Sequence, residues 1–204
     1  MGKSKIVMHI YLILSDSGDH RIPFNIRSYA SSSNRLDVLA RTLITYTEII
    51  EKIPNIYSHA LIIININAKI RTLEVKIPLP LLLRNEYRLL MAMSLDIQRK
   101  GRYFLKDIPV HLLRSVLEHV IILNLTEKGK PINTLILNIV RNIMKTKKLA
   151  VVLGGHKDIH VYVRELLRKY EVYDVSVGKL SYFSSQALTI TLYNIAKLLL
   201  GKSF

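Results

Sequence analysis

Apolar positions along the chain recur in two rhythms, and the rhythms place the elements. From Lys5 to Leu14 they alternate or run together, which predicts a first strand. Ser15–Ser33 is polar, carries Gly18, Pro23 and a triple serine, and reads as a long loop without regular structure, more than a plain connection needs. Leu36, Leu39, Ala40, Leu43, Ile50 and Ile53 then fall at helical spacing, which predicts a helix over 34–53 with Asn34 as its cap and Pro54 as its stop. Ser58–Asn67 and Lys69–Lys76 alternate on either side of Asn67-Ala68 and predict a hairpin, ended by Pro78 and Pro80.

Two helices are predicted next, Asn85–Lys100 closing at Gly101 and a short one over Pro109–Glu118. Beyond them the rhythm alternates. A strand over Val120–Leu125 and a TEKG turn at Gly129 lead to a helix over Thr134–Lys145. A buried strand over Leu149–Leu153, a helix over Lys157–Lys169, a strand over Val172–Val177 and a helix over Ser184–Leu200, closed by Gly201, complete the series. Strand–helix alternation calls for an α/β fold, a mostly parallel sheet with helices on both faces. There is no internal repeat and no linker-like tract, so residues 1–204 read as one domain.

Charge narrows the class of partner. Thirty Lys and Arg stand against fifteen acidic residues, a net charge of +15, and such a surplus attracts polyanions, RNA or DNA first among them. A merely solvated basic surface is the plainer reading. The charge is spread along the chain rather than gathered on one helix face, which argues against an amphipathic membrane anchor. The longest apolar runs, around Ala60–Ile64 and Val120–Leu123, fall far short of a membrane span, and the basic-then-apolar start lacks a small-residue cleavage site. The expectation is a cytoplasmic protein with no membrane partner. The chain has no cysteine, which removes disulfides, thiolate nucleophiles and Cys-ligated zinc.

Parallel sheets bind ligands beyond the carboxyl ends of their strands. Three such ends carry small or flexible residues: Leu125-Thr126-Glu127-Lys128-Gly129, Gly154-Gly155-His156, and Gly178-Lys179-Leu180-Ser181. Glycine lets main-chain N–H groups come close to a ligand, although each glycine alone is as well explained by a turn. No phosphate cradle is present, since neither G-x-x-x-x-G-K-[ST] nor G-x-G-x-x-G after a strand occurs. His156 and His160 are four apart and share a face if helical, but H-K-D-I-H lacks a metalloprotease Glu and no third ligand is placed, so exposed or capping histidines and no metal are expected. His9, His20, His59, His111 and His119 form no pattern, and no serine sits in a nucleophile elbow. Asp37 stands three residues after Asn34, where an acidic side chain favours a helix start. Arg35 beside it follows a basic stretch holding Arg21 and Arg27, a grouping that can instead grip a phosphate and a base edge.

Four segments, RLDVLAR, LTEKGKPI, VVLGGHKD and VSVGKLSYFSSQALTI, resemble in this order the archaeal tRNA pseudouridine-54 N1-methyltransferases of the SPOUT superfamily. The similarity runs loosely along nearly the whole chain and is most specific in the last segment. It implies a homodimeric SPOUT fold with a trefoil knot in the carboxyl-terminal part, about residues 119–204, and S-adenosylmethionine as cofactor. It implies a pocket lined by Leu125, Gly154, Val177, Gly178, Lys179, Leu180, Ser181, Tyr182 and Ala187. The chain departs from the family's pattern at Gly155, where relatives carry an acidic residue, and at Asn34, where they carry Gly; VSVGK also lacks the proline that often follows Gly178.

The activity implied is methyl transfer to N1 of a pseudouridine in tRNA. The target base leaves its stack, Asp37 meets the base edge and the N1 proton, Arg35 holds the base or its phosphate, and Arg21 and Arg27 support the RNA backbone. The alternatives are a pseudouridine N1-methyltransferase acting on small-subunit ribosomal RNA and a non-catalytic basic RNA-binding protein of the same fold.

Overall fold

The computed structural model describes residues 7–99, 103–178 and 183–200. Seven strands form one sheet in the order β4-β3-β2-β1-β6-β5-β7. They are β1 (Met8–His20), β2 (Ile56–Ile66), β3 (Lys69–Val75), β4 (Leu105–Asp107), β5 (Ile121–Pro131), β6 (Lys148–Gly154) and β7 (Val172–Ser176). Strands β2, β1, β6, β5 and β7 run parallel, and β3 and β4 extend the edge in antiparallel fashion. The helices are α1 (Tyr29–Ser32), α2 (Leu36–Ile50), α3 (Glu86–Gln98), α4 (Leu112–Leu117), α5 (Ile132–Thr146), α6 (Val161–Leu167) and α7 (Ser184–Leu200).

Both faces of the sheet are covered, unequally. Leu12, Leu14, Ile62, Ile64 and Val151 point to one face, where α2, α3, α5 and α7 bring Leu39, Leu43, Met93, Ile139 and Leu188 onto them. Ile13, Leu61, Ile63, Ala150 and Val152 point to the other, which among the described residues the short helices α4 and α6 cover, through Leu113, Leu117, Val163 and Leu166. The continuous apolar run of β2 follows from burial on both sides. Among the described residues no helix is long and apolar enough to cross a membrane.

Four expectations need correction. The polar stretch Ser15–Ser33 is not an unstructured loop. Strand β1 continues to His20, pairing with Ile63–Ile66 of β2 across an irregularity between Asp16 and Asp19, and a 3-10 turn at Ile26–Ser28 leads into α1. The alternation persists there in polar residues: Ser15, Asp16 and His20 are buried while Ser17 and Asp19 are exposed. A hydrophobic count cannot see it. Asn34 is not the cap of α2. Asn34 and Arg35 both adopt positive φ (56° and 67°), and the Ser33 hydroxyl accepts from the N–H of Leu36 at 3.2 Å. The helix expected over Lys157–Lys169 begins only at Val161; His156 is exposed and His160 is the cap, its Nδ1 accepting from the N–H of Tyr162, as expected of exposed or capping histidines. Gly129 makes no plain turn. Leu125 and Lys130 of β5 are both in register with Val175 of β7. A β-carbon on Gly129 would stand 2.5 Å from the Val175 nitrogen, so Gly129 lies against the β7 backbone.

The three-residue β4 was missed altogether. It is too short to carry a period, and it is docked by the buried Asp96 of α3, which accepts from the N–H groups of Tyr103, Phe104 and Leu105. The expected knot involves residues 179–182, which lie outside the described residues.

Candidate active site

The irregular stretch of β5 after Asn124 and the carboxyl ends of β6 and β7 open into one cleft of about 550 Å³, within the range of small-molecule sites. Asn124–Lys128 form one wall, Leu153–Gly155 with Lys157–Ile159 a second, and Val175–Gly178 a third. Ser184 and Ala187 of α7 and Arg164 of α6 close the outline.

Small residues keep the cleft open, and hydrogen bonds fix its edges. A β-carbon on Gly154 would meet the Lys157 carbonyl oxygen at 2.9 Å. The Ser184 hydroxyl donates to the Gly154 carbonyl at 2.7 Å, tying the start of α7 to the end of β6. Gln186 reaches back to accept from the Phe183 N–H at 3.1 Å, one half of a capping box that starts this helix. The Ser176 hydroxyl donates to the Gly178 carbonyl at 2.8 Å, which bends the chain at the end of β7. At the outer edge Arg164 and Asp158 form a solvent-exposed pair at 3.6 Å.

The wall built from Gly154-Gly155-His156 is held by β1. Asp16, 1% exposed, accepts from the N–H groups of Gly18 (2.7 Å), His156 (2.5 Å) and Lys157 (3.1 Å). Ser15 adds a carbonyl to the Gly155 N–H and a hydroxyl to the His160 N–H. His20, fully buried, has its Nε2 3.9 Å from Asp16 and its Nδ1 3.2 Å from the Ser33 carbonyl. Burial pushes the His20 imidazole below its ordinary pKa, against a smaller upward pull from Asp16.

Arg35 and Asp37 sit at the start of α2, beside this wall. Arg35 donates through Nε and Nη2 to the two carboxylate oxygens of Asp37, at 3.0 and 3.1 Å, in a forked pair. Arg41 approaches Asp37 at 3.7 Å and pairs with Glu86, which also accepts from the Tyr29 hydroxyl. That hydrogen bond raises the Tyr29 pKa, and Asp37 raises that of Arg35. The left-handed backbone of Arg35 costs roughly 1 kcal/mol, strain of the kind concentrated at functional sites. The link to the cleft is close: Leu39 of α2 lies 2.9 Å from where a β-carbon on Gly155 would be, and Asn34 and Lys157 flank Gly18.

Thus Leu125, Gly154, Val177, Gly178 and Ala187 line one cleft. Arg35 and Asp37 form an ion pair one wall away. Arg21 and Arg27 are exposed on the segment between β1 and α1. Lys179, Leu180, Ser181 and Tyr182 lie outside the described residues. Sequence reasoning missed Asp16, Ser176 and Ser184. The only signal for Asp16 was the period-two spacing of Ser15-Asp16 with Gly18 and His20 in a polar run.

No protein-family model and no curated protein sequence matches the chain. Solved structures do. The chain is similar to Archaeoglobus fulgidus Nep1 bound to S-adenosylhomocysteine, with a TM-score of 0.67 at 16% identity over 96% of this chain and 100% of that one. It is also similar to a Neisseria gonorrhoeae protein described as of a methylase family, with a TM-score of 0.50 at 10% identity over 99% of this chain and 87% of that one. These likenesses establish the fold. The α/β architecture expected from the resemblance is the architecture found.

Proposed function

We propose that the protein is an S-adenosylmethionine-dependent RNA methyltransferase that modifies N1 of a pseudouridine, in tRNA at position 54. The observation that carries the reading is the convergence of three separate strand ends, small or flexible in each case, on one cleft of nucleoside size. The S-adenosylhomocysteine in the Nep1 structure, on the same fold, supports it.

The cleft suits the cofactor. Gly154, Val177 and Gly178 bring main chain to its lining, Leu125 and Ala187 supply apolar wall, and a β-carbon on Gly154 would crowd the opposite backbone. Leu125, Gly154, Val177–Tyr182 and Ala187 would hold it. The cofactor supplies an electrophilic methyl group on a sulfonium. The protein's work is then alignment of the incoming nitrogen, the main source of rate in an in-line displacement.

In this structure Arg35 occupies both oxygens of Asp37. Each carboxylate oxygen of Asp37 therefore already accepts from Arg35 before any base arrives. When a phosphate or base edge draws Arg35 away, a carboxylate oxygen becomes free to take a hydrogen bond from N1–H, orienting that proton or removing it. Arg21 and Arg27 extend the basic track along the approach. The protein acts as a homodimer in this reading, and the exposed Leu137 and Met144 of α5 with Leu198 of α7 provide apolar surface for it.

The test is calorimetric titration with S-adenosylmethionine, followed by methylation of tRNA transcripts with and without prior pseudouridylation and mass spectrometry of the nucleosides. Methylpseudouridine at position 54, dependent on pseudouridylation, is expected. Modification of a small-subunit ribosomal RNA fragment in its place moves the substrate and keeps the chemistry. Absence of cofactor binding leaves a basic RNA-binding protein and ends the enzymatic reading.

A further inference from the structure

The parallel register of β1 and β2 sets His9 beside Tyr57 and Tyr11 beside His59. All four side chains project from the sheet face that α4 and α6 cover only in part. Their rings form a continuous stack. Tyr57 to His9 is 5.2 Å between ring centres, His9 to His59 5.8 Å and His59 to Tyr11 4.6 Å, with planes inclined by 12–28°. Burial and the neighbouring His9 lower the His59 pKa. At neutral pH that imidazole stacks as an uncharged ring.

Core packing accounts for Tyr11, which lies against the cluster under α4 and α6, but not for the exposed Tyr57. Farther along the same strands on the same face, Ile13, Leu61 and Ile63 fill the space under the helices. Where the helices stop, the chain changes to rings, and it leaves His9 Nδ1 and His59 Nε2 buried with no hydrogen-bond partner. The stack ends in Tyr57, which is 61% exposed. Basic groups flank it. Lys148 of β6 is in register with His9, and Lys106 of β4 is in register with Glu74, which is itself in register with Leu61 of the ring face. Glu74 tempers the field on that side, but the chain as a whole carries +15. Along β1, Tyr11 and His9 lie four and six residues from Ser15, about 13 and 20 Å, and neither they nor Tyr57 and His59 line the cleft.

We propose that this ring stack is a second RNA-contact site, one that takes unpaired nucleobases onto Tyr57 while Lys148 and Lys106 meet the phosphates. Flat rings beside cations are the general means of holding single strands, because every base offers a π-face. The proposal rests on the RNA reading above and does not depend on methyl transfer. An RNA with its target base in the cleft would lay a neighbouring single-stranded segment across this face.

Binding of labelled oligoadenylate, measured by fluorescence anisotropy without S-adenosylmethionine, tests it. Tyr57→Ala and Tyr57→Leu should each weaken binding about tenfold, the effect of one lost base–ring stack, whereas Tyr57→Phe stays within about twofold of the wild type. Lys148→Glu should also weaken binding and reduce its salt dependence. A blunt RNA duplex should show no loss with Tyr57→Leu. Wild-type oligoadenylate affinity in Tyr57→Leu, a variant that keeps the bulk and checks out by thermal melting, overturns the proposal. So does a sedimentation shift from dimer to monomer with affinity intact, which would make the stack an interface between two copies. Absence of methyl transfer by the wild type, with the Tyr57 effect on oligoadenylate present, counts against the enzymatic reading alone.

Discussion

Replacing Asp16 by Ala should cost more stability than any other single polar substitution near the cleft. Its carboxylate accepts three backbone N–H groups, two of them from a loop 140 residues away in sequence, and it is 1% exposed. Hydrogen bonds to a charged acceptor contribute about 1.5–3 kcal/mol each. His156 and Lys157 are exposed, so water can replace part of what their amides lose. A net loss of about 3–5 kcal/mol follows, which at this chain length lowers the melting temperature by roughly 6–20 °C. Asp16→Asn keeps an oxygen for one side only and should fall in between.

The same geometry makes a sharper test possible. Asp16 Oδ2 occupies the place that a β-carbon at position 155 would need. Gly155→Ala should therefore destabilise the wild type strongly and the Asp16→Ala background less. Urea unfolding of the four proteins gives the coupling, expected at about 1 kcal/mol or more in favour of the double variant. Additive effects, or an Asp16→Ala protein within about 1 kcal/mol of the wild type, would refute the view that this carboxylate clamps the cleft wall.

Asp37→Asn and Arg35→Ala should each reduce methyl transfer about a hundredfold or more while leaving S-adenosylmethionine affinity in place; normal turnover in Asp37→Asn would reduce the pair to a device for starting α2. Gly154→Ala should weaken cofactor binding about tenfold by calorimetry with a small change in melting temperature, since the new methyl meets the Lys157 carbonyl at the cleft. His20 gives a pH dependence. Its folded pKa is lowered by burial from an ordinary value of 6.5, so the unfolded chain binds the proton more readily. Its contribution is complete above the unfolded value and is lost as the pH falls from there through the lowered folded value. Melting temperatures of the wild type should decline on acidification through this window, and His20→Gln should flatten part of the decline; an unchanged slope refutes the assignment.

The alternating half of the chain was legible because burial on both faces forces apolar runs in the parallel strands. The run over 149–153 falls within β6, and the helix over 184–200 appears with its expected bounds. The convergence of the 125, 154 and 178 bends was legible as well, because strand polarity puts all carboxyl ends of a parallel sheet on one edge. What stayed hidden was polar structure. Ser15–His20 is a strand whose buried side chains are hydroxyl, carboxylate and imidazole, so no apolar period marks it. Arg35 at positive φ could not be anticipated, since arginine has no preference for that region. The ring stack needed the register between two strands nearly fifty residues apart, which composition does not encode.

Asp16 also fills the space beside Gly155, which carries no side chain. The space is not lost: the Asp16 carboxylate reaches across from β1 and fills it, with Oδ2 held by the amides of His156 and Lys157. A negative group thus stands at the same wall, supplied by a different strand. The consequence is mechanical as well as electrostatic. Asp16 holds the wall of the cleft, and farther along the same strand the Asp19 carbonyl accepts from the Asn34 side chain just before the Arg35–Asp37 pair, so β1 touches both the wall and the approach to α2.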